Sequence, residues 1–193
     1  MRGFSFAETI VVVSLTVLLF GTITSIIVFF YQTNASVLEQ ADAITSARKG
    51  VEKGMRDIRE ATYGDDGSYP ITNAGTSTIT FFSDKDHDNA IERVRYVLTG
   101  TTLYRYTIEP SGNPSVYTAA ETTEIISEYI RNRDFNTAIF SYFDSNGNDL
   151  GATPLPIDIS SVSLRLIVNV NPSRAPEEFT LTGSANLRNL RRE

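Results

Sequence analysis

The longest patterned feature of the sequence is a run of apolar residues close to its start. From Thr9 to Tyr31 the chain reads TIVVVSLTVLLFGTITSIIVFFY, which is 23 residues without a charged side chain. A helix rises 1.5 Å per residue, so this run corresponds to about 35 Å, whereas the hydrocarbon core of a bilayer is about 30 Å thick. The pattern therefore predicts a membrane-spanning helix.

A cleaved secretory signal peptide is the alternative interpretation of this run. The apolar region of a signal peptide usually has about 7–15 residues and ends at a cleavage site formed by small residues. The run in this chain is longer, and it ends in Phe29, Phe30 and Tyr31. Its length and its aromatic end favour a helix that remains part of the protein.

Beyond the apolar run the helical periodicity continues in amphipathic form. Apolar residues recur at spacings of three, four or seven, which predicts one buried stripe. The residues of this predicted stripe are Leu38, Ala41, Ile44, Val51, Met55 and Ile58. Charged residues, Asp57 among them, fall on the other faces. Gly50 and Gly54 each weaken a helix by about 1 kcal/mol relative to Ala, so packing has to hold this part together.

The helical pattern ends at the breaker Tyr63-Gly64-Asp65-Asp66-Gly67. We therefore expect a single helix of roughly 55 residues, far longer than the average of about 11–12.

The rest of the chain consists of short alternating segments that are typical of β-strands. The predicted strands are Thr78–Ser83, Arg93–Leu98, Leu103–Ile108, Ile139–Phe143, Val162–Val170 and Phe179–Leu187. Thr99-Gly100-Thr101 predicts a hairpin, and Asn146-Gly147 predicts a second one. We expect a short helix at Glu121–Ile130.

Together these elements predict one long helix packed on an antiparallel sheet, which is the α+β class. Val162–Val170 carries five apolar residues on one face, and we expect this face to cover the predicted stripe of the helix. These five residues are Val162, Leu164, Leu166, Val168 and Val170.

Composition narrows the possible classes of function. The chain is 41% hydrophobic and 21% charged, which is typical of a folded protein. Its net charge of −6 argues against a nucleic-acid partner, because phosphate binding needs clustered Lys and Arg. The lack of cysteine excludes thiolate catalysis, Cys-ligated zinc and disulfides. His87 is the only histidine, and Ser46-Ala47-Arg48-Lys49 fits S-x-x-K without its partner motifs. No G-x-S-x-G, H-E-x-x-H or Gly-rich phosphate loop is present, so we expect no enzymatic activity.

Acidic residues alternate in the segment Asp84-Lys85-Asp86-His87-Asp88-Asn89-Ala90-Ile91-Glu92. Oxygen ligands with this spacing converge on Ca²⁺ at the D-x-D-x-D start of an EF-hand loop. The rest of that motif differs, since Asn89 replaces the turn glycine and Arg95 stands where the bidentate Glu would be. Asp84, Asp86, Asp88 and Glu92 are therefore candidate calcium ligands. A solvated acidic loop between two strands is the alternative interpretation.

The first residues of the chain place a carboxylate, Glu8, directly before the apolar run. A charged group at membrane depth costs about 2.5–3.5 kcal/mol and usually has a partner. Alternatively, Glu8 lies in the wet membrane interface, where the positive end of the helix dipole favours it.

The string Gly3-Phe4-Ser5-Phe6-Ala7-Glu8 before the apolar run resembles the class III signal of type IV prepilins and type II secretion pseudopilins. Gly3, Phe4 and Glu8 match that signal residue by residue, although the leader Met1-Arg2-Gly3 is short for the family. The resemblance implies that a prepilin peptidase cuts between Gly3 and Phe4 and methylates the new amine of Phe4. It also implies that Glu8 pairs with the N-terminal amine of the preceding subunit during filament assembly.

The part of the chain that follows the predicted helix is similar to the head of W-type minor pilins (PilW) and J-type minor pseudopilins (GspJ). The similar stretches are Ile79–Phe82, Arg95–Leu98, Leu103–Arg105, Phe140–Asp144 and Leu181–Asn189. The resemblance implies four segments along the chain. They are a leader at 1–3, a transmembrane helix at 4–31, its amphipathic continuation at 32–62 and an extracytoplasmic β-rich head at 63–193.

A bacterial minor pilin or pseudopilin is a structural subunit of a type IV pilus, a type II secretion filament or a competence filament. The resemblance implies a single-pass protein of the inner (cytoplasmic) membrane that then joins a cell-surface or periplasmic filament. The expected partners are other pilin or pseudopilin subunits, the prepilin peptidase and membrane lipid, without nucleic acid. The alternative is a membrane-anchored extracytoplasmic binding domain, Ca²⁺-dependent in one version, that does not polymerise.

Overall fold

The computed structural model describes residues 5–173 and 176–187 of the chain. Within these ranges it contains a long helix, eight strands and one short 3₁₀ helix. In chain order they are α1 Phe6–Arg59, β1 Ile71–Ala74, β2 Thr78–Ser83, β3 Glu92–Thr99, β4 Thr102–Ile108, β5 Thr122–Ser127, β6 Phe140–Phe143, the 3₁₀ helix Pro156–Asp158, β7 Ser161–Val168 and β8 Phe179–Asn186. This arrangement is α+β, as the sequence predicts.

Helix α1 is 54 residues long, and its two halves differ in burial. Every residue from 5 to 35 is exposed. From Gln40 onward one side of the helix is buried against the rest of the protein. The buried residues of α1 are Gln40, Ala43, Ala47, Gly50, Val51, Gly54, Met55, Asp57 and Ile58. The part of the chain that follows α1, which we call the head, therefore supports only the second half of the helix.

Two antiparallel sheets form the head. Strands β1 to β5 make a five-stranded sheet in chain order, and β6, β7 and β8 make a three-stranded sheet. Strands that follow one another in the chain are thus neighbours in space, as short connections favour. Helix α1 contacts β2 and β5 of the first sheet and β7 and β8 of the second. One helix therefore joins the two sheets.

The main hydrophobic core lies between α1 and the two sheets. Val162, Leu164, Leu166 and Val168 of β7 are fully buried in it, and Val170 packs against it. This confirms the predicted inner face of that strand. Alternate residues of β3 point into the same core, because one face of an antiparallel sheet is covered by the helix.

Strand β2 is buried on both faces. One face belongs to the main core, while Phe82 on the other packs with Ile108 and Tyr117, and Ile91 lies against them. The chain after β4 thus folds back over the outside of the sheet. This double cover accounts for the burial of every residue of β2 from Ile79 to Ser83, polar residues included.

One local prediction is wrong, and another holds only in part. Glu121–Ile130 is not a helix, because Thr122–Ser127 forms strand β5 on the edge of β4, with Tyr104 opposite Ile125. Thr and Ile suit a strand, and the unpaired edge of β4 offers them hydrogen bonds. The Asn146-Gly147 turn forms, but the two segments that it connects pair only through one isolated antiparallel bridge, between Phe143 and Asp149. Strand β6 pairs with β7 instead.

The buried stripe of α1 is also shifted from its predicted position. Val51, Met55 and Ile58 are buried as expected, whereas Leu38 is 62% exposed and Ala41 is exposed as well. Ile44 is half-buried. In this part of the helix the small residues Ala43, Ala47 and Gly50 face the head, because α1 lies close to the sheets there.

Candidate functional site

The exposed half of α1 is the first candidate surface for function. It includes an 18-residue window with a mean hydropathy of 2.5, none of which is buried inside the protein. Its exposed apolar side chains include Phe6, Ile10, Leu15, Phe20, Ile26 and Phe30. Within the described part of the chain, α1 is the one helix that is long and apolar enough to span a membrane. An apolar surface of this extent normally contacts lipid or another protein.

Glu8 lies at the very start of α1 and caps it. The Ser5 N–H donates to Glu8 Oε2 at 2.9 Å, and the Glu8 N–H donates to Ser5 Oγ at 3.4 Å. This reciprocal arrangement is a capping box, and it places the carboxylate at the positive end of the helix dipole. Among the described residues, Glu8 Oε1 accepts no hydrogen bond. Gly3 and Phe4, the predicted processing residues, lie outside the described residues.

Hydroxyl groups interrupt the apolar half of α1, and each of those named here is satisfied within the helix. Thr16, Thr24 and Ser25 donate to the carbonyl oxygens four residues earlier, at 2.7–2.9 Å. Thr22 donates to the Leu19 carbonyl at 2.8 Å. A hydroxyl bonded to its own helix leaves no unsatisfied donor in hydrocarbon, so these residues are compatible with a membrane environment.

The loop between β2 and β3 brings together all four candidate calcium ligands. Asp84, Asp86, Asp88 and Glu92 each offer a carboxylate oxygen, and these oxygens lie within 4.8 Å of one another. Asp86 and Asp88 are exposed, Asp84 is half-buried and Glu92 is 1% exposed. The cluster therefore has a solvent side and a buried side.

Backbone hydrogen bonds to these carboxylates fold the loop. Asp84 Oδ1 accepts from the His87 N–H at 2.7 Å, and Asp88 Oδ1 accepts from the Ala90 N–H at 2.8 Å. Glu92 Oε2 accepts from the Lys85 N–H at 2.8 Å. Burial raises the pKa of the Glu92 carboxyl, because desolvation disfavours its charged form, although the backbone hydrogen bonds act in the opposite direction.

Sequence reasoning missed a buried ionic network, although spacing offered a signal for it. Arg105 Nη1 lies 2.8 Å from Asp57 Oδ2, and the Tyr96 hydroxyl donates to the same oxygen at 2.8 Å. Arg105 also binds Glu124, which in turn binds Lys53. Arg105 lies two residues after the apolar Leu103. The alternation of side chains along a strand therefore places both on the core face of β4, where Arg105 is buried. On α1, Asp57 follows Gly50 and Gly54 at spacings of seven and three, so helical periodicity places it on the same side of the helix as these buried glycines.

The network ties α1 to β3, β4 and β5. Burial raises the pKa of the Tyr96 hydroxyl well above its usual value, and the Asp57 charge adds to the effect. Burial by itself would lower the pKa of Arg105, but the Tyr96, Asp57 and Glu124 groups together outweigh that effect and raise the pKa. The arrangement keeps Arg105 charged and fixes the position of the helix on the sheet, which is a structural role.

No protein-family model matches the chain, and no curated protein matches it. Sequence similarity therefore assigns it to no family, and its function is inferred from its own residues and geometry.

Proposed function

We propose that this protein is a structural, non-enzymatic subunit of the pilin type, either a minor pilin or a pseudopilin. In this proposal α1 holds the chain in the inner membrane with the head on the extracytoplasmic side. The same helix then packs among the helices of a pilus, a secretion filament or a competence filament.

The observation that supports this proposal best is the division of α1. In one continuous helix of 54 residues, every residue from 6 to 35 is exposed before the head begins to cover the helix. An anchor alone needs only about 20 residues to cross the membrane, and nothing requires it to continue without a break into the core of the head. A rigid rod is what a helical filament core requires, because each subunit then has a fixed orientation.

The N-terminal string provides the second support. Gly3, Phe4 and Glu8 match the prepilin signal, in which a peptidase removes the leader and methylates the new N-terminus. A membrane anchor that does not polymerise needs neither this cleavage junction nor a carboxylate at Glu8. The N-terminal ammonium of a neighbouring subunit is a suitable partner for that carboxylate in a low-dielectric filament core.

The capping box provides both a variant and a matched control with which to test this pairing role. Glu8→Gln removes the charge but keeps an oxygen that can accept from the Ser5 N–H. Ser5→Ala is the matched control, because it removes the hydroxyl half of the cap and leaves the carboxylate in place. Loss of a capping hydroxyl costs about 1 kcal/mol, and it affects the membrane form and the filament form alike.

We expect Glu8→Gln to insert into the membrane as well as the parent does, yet to assemble poorly. Breaking one half of a buried charge pair costs about 3–5 kcal/mol, which corresponds to a loss of roughly two to four orders of magnitude in an assembly equilibrium. The measurement is the ratio of sheared-filament protein to membrane-bound protein for the parent, Glu8→Gln and Ser5→Ala.

Each other outcome would contradict part of this proposal. An unchanged ratio for Glu8→Gln would refute the pairing. Absence of the parent from the sheared-filament fraction would favour a membrane-anchored binding domain that does not polymerise. An equal loss in Ser5→Ala, which keeps the carboxylate, would contradict a role that is specific to the charge of Glu8.

A further inference from the structure

The carboxylate cluster of the β2–β3 loop is separate from the apolar helix and has no role in the proposed assembly. Its four carboxylate oxygens lie within 4.8 Å of one another. Among the described residues, none of these carboxylates forms an ion pair with Lys or Arg. Like charges this close repel one another strongly, and the burial of Glu92 weakens the screening by water.

Ser83 provides an independent observation at the buried side of the cluster. Its side chain is 1% exposed, and its Oγ has no hydrogen-bond partner among the described residues. Ser83 lies directly opposite Glu92 in the β2–β3 register. Residues opposite each other in an antiparallel pair place their Cβ atoms about 5 Å apart on the same face, so the Ser83 side chain lies beside that of Glu92, at the buried side of the cluster. A buried hydroxyl without a partner is rare, and it suits a site that binds a ligand.

We infer that Asp84, Asp86, Asp88 and Glu92 bind one Ca²⁺ ion, with the Ser83 hydroxyl on the buried side of the site. Two oxygens bound to the same Ca²⁺ at about 2.3–2.6 Å are at most about 5 Å apart. The observed spread of 4.8 Å therefore allows all four carboxylates to share one ion.

The donor set favours Ca²⁺ over other divalent ions. All four ligands of the cluster are carboxylate oxygens, whereas zinc sites are usually built from nitrogen and sulfur. Ca²⁺ accepts about 6–8 oxygen ligands in irregular geometry, and Mg²⁺ requires a tighter octahedron. Asp86 and Asp88 are exposed, so water has access to complete the coordination.

The loop is fastened to the segment where α1 ends. The Ile91 N–H donates to Asp65 Oδ2 at 3.2 Å, and the Tyr117 hydroxyl donates to the Ile91 carbonyl at 2.6 Å. Tyr117 Oη also accepts from the Asp65 N–H at 3.1 Å. An ion held by the loop would therefore stabilise the end of the head that lies farthest along α1 from its apolar half.

The test uses the full chain in detergent micelles, with bound metal first removed by a chelator. The thermal midpoint of the head is followed while CaCl₂ is raised to about 10 mM at constant ionic strength, and MgCl₂ is titrated in parallel. We expect the midpoint to rise with calcium, half-maximally between about 0.1 and 1 mM as in extracellular calcium modules, and to rise less with magnesium.

Glu92→Gln keeps the shape of the side chain and removes its charge, and we expect it to raise the half-maximal calcium concentration at least about tenfold. Asp86→Asn changes an exposed ligand, so it serves as a second variant if Glu92→Gln does not fold. Glu109→Gln is the matched control, because this exposed carboxylate acts electrostatically on Glu92 but lies outside the cluster. It should retain the calcium response of the parent.

A midpoint that does not change with calcium would overturn the inference, as would an unchanged response in both ligand variants. Equal responses to calcium and magnesium would overturn the assignment to calcium. None of these outcomes bears on filament assembly, so this inference and the proposed function can fail separately.

Discussion

At the scale of single residues, glycines set how closely α1 approaches the sheets. A Cβ added at Gly50 would lie 2.7 Å from the Ile126 carbonyl oxygen, which is backbone and cannot rotate away. At Gly54 the nearest atom would be Leu164 Cδ2 at 3.4 Å, an ordinary contact. Two glycines that look alike in the sequence therefore differ in their surroundings.

This difference predicts opposite effects for two alanine substitutions on the same helix. Gly50→Ala should destabilise the head by about 1–3 kcal/mol, because the clash outweighs the better helix propensity of alanine. Gly54→Ala should be neutral or stabilise it by up to about 1 kcal/mol. Urea unfolding of the full chain in detergent measures both. Shifts of the same sign and size would show that Gly50 is not held against Ile126.

At the scale of elements, the ionic network attaches the helix to the five-stranded sheet. Its inner part, Asp57 with Arg105, is buried, and its outer part, Glu124 with Lys53, is close to half exposed. Burial alone would raise the pKa of Glu124, but the hydrogen bond from Lys53 and the charges of Arg105 and Lys53 hold it below its ordinary value. The ionised carboxylate is therefore favoured in the folded state.

The lowered pKa of Glu124 predicts a pH-dependent contribution to stability. The folded state binds this proton less readily than the unfolded state, so the contribution is present above the ordinary pKa of 4.5 and is lost as pH falls through the lower folded pKa. The thermal midpoint of the parent should exceed that of Glu124→Gln above the ordinary pKa of 4.5, and the two midpoints should converge as the pH is lowered from about 7 through that value. Glu128→Gln, an exposed neighbour, is the control. A constant difference across this range would contradict the ionic role of Glu124.

At the scale of the whole molecule, the protein is a rod with a head attached to one half. The exposed apolar half of α1 has no partner within the described chain, whereas its second half is part of the main core. Movement of the head therefore reorients the apolar half as well. This coupling suits a subunit whose helix and head must both occupy fixed positions in an assembly.

If the chain is processed as we propose, the mature protein begins at N-methylated Phe4. Mass spectrometry of the N-terminal peptide from cells with an active prepilin peptidase measures this directly. A bulky residue in place of Gly3, as in Gly3→Leu, should leave the leader attached and provides the control. Membrane-bound parent protein that still begins at Met1 would contradict the proposed processing.

The sequence by itself determined the long helix, strands β2, β3, β4, β6, β7 and β8 to within about two residues, and the α+β class. The acidic cluster could also be predicted from the sequence, since the four carboxylates fall within the segment 84–92 and a single loop brings them together. The reason is the same in each case. Periodicity and ligand spacing both involve residues that are close in the chain, so the geometry of one helix, strand or loop is enough to bring these residues together.

The features that depend on residues distant in the chain were decided only by the tertiary structure. Strand β5 forms because β4 offers it an edge, and the buried side of α1 follows the small residues that fit against the sheets. Asp57 pairs with Arg105, which lies 48 positions away in the chain. Ser83 lies opposite Glu92 only once β2 and β3 have paired. The local sequence pattern predicts such contacts poorly, because their free energy comes from burial and from partner residues that meet only after the chain has folded.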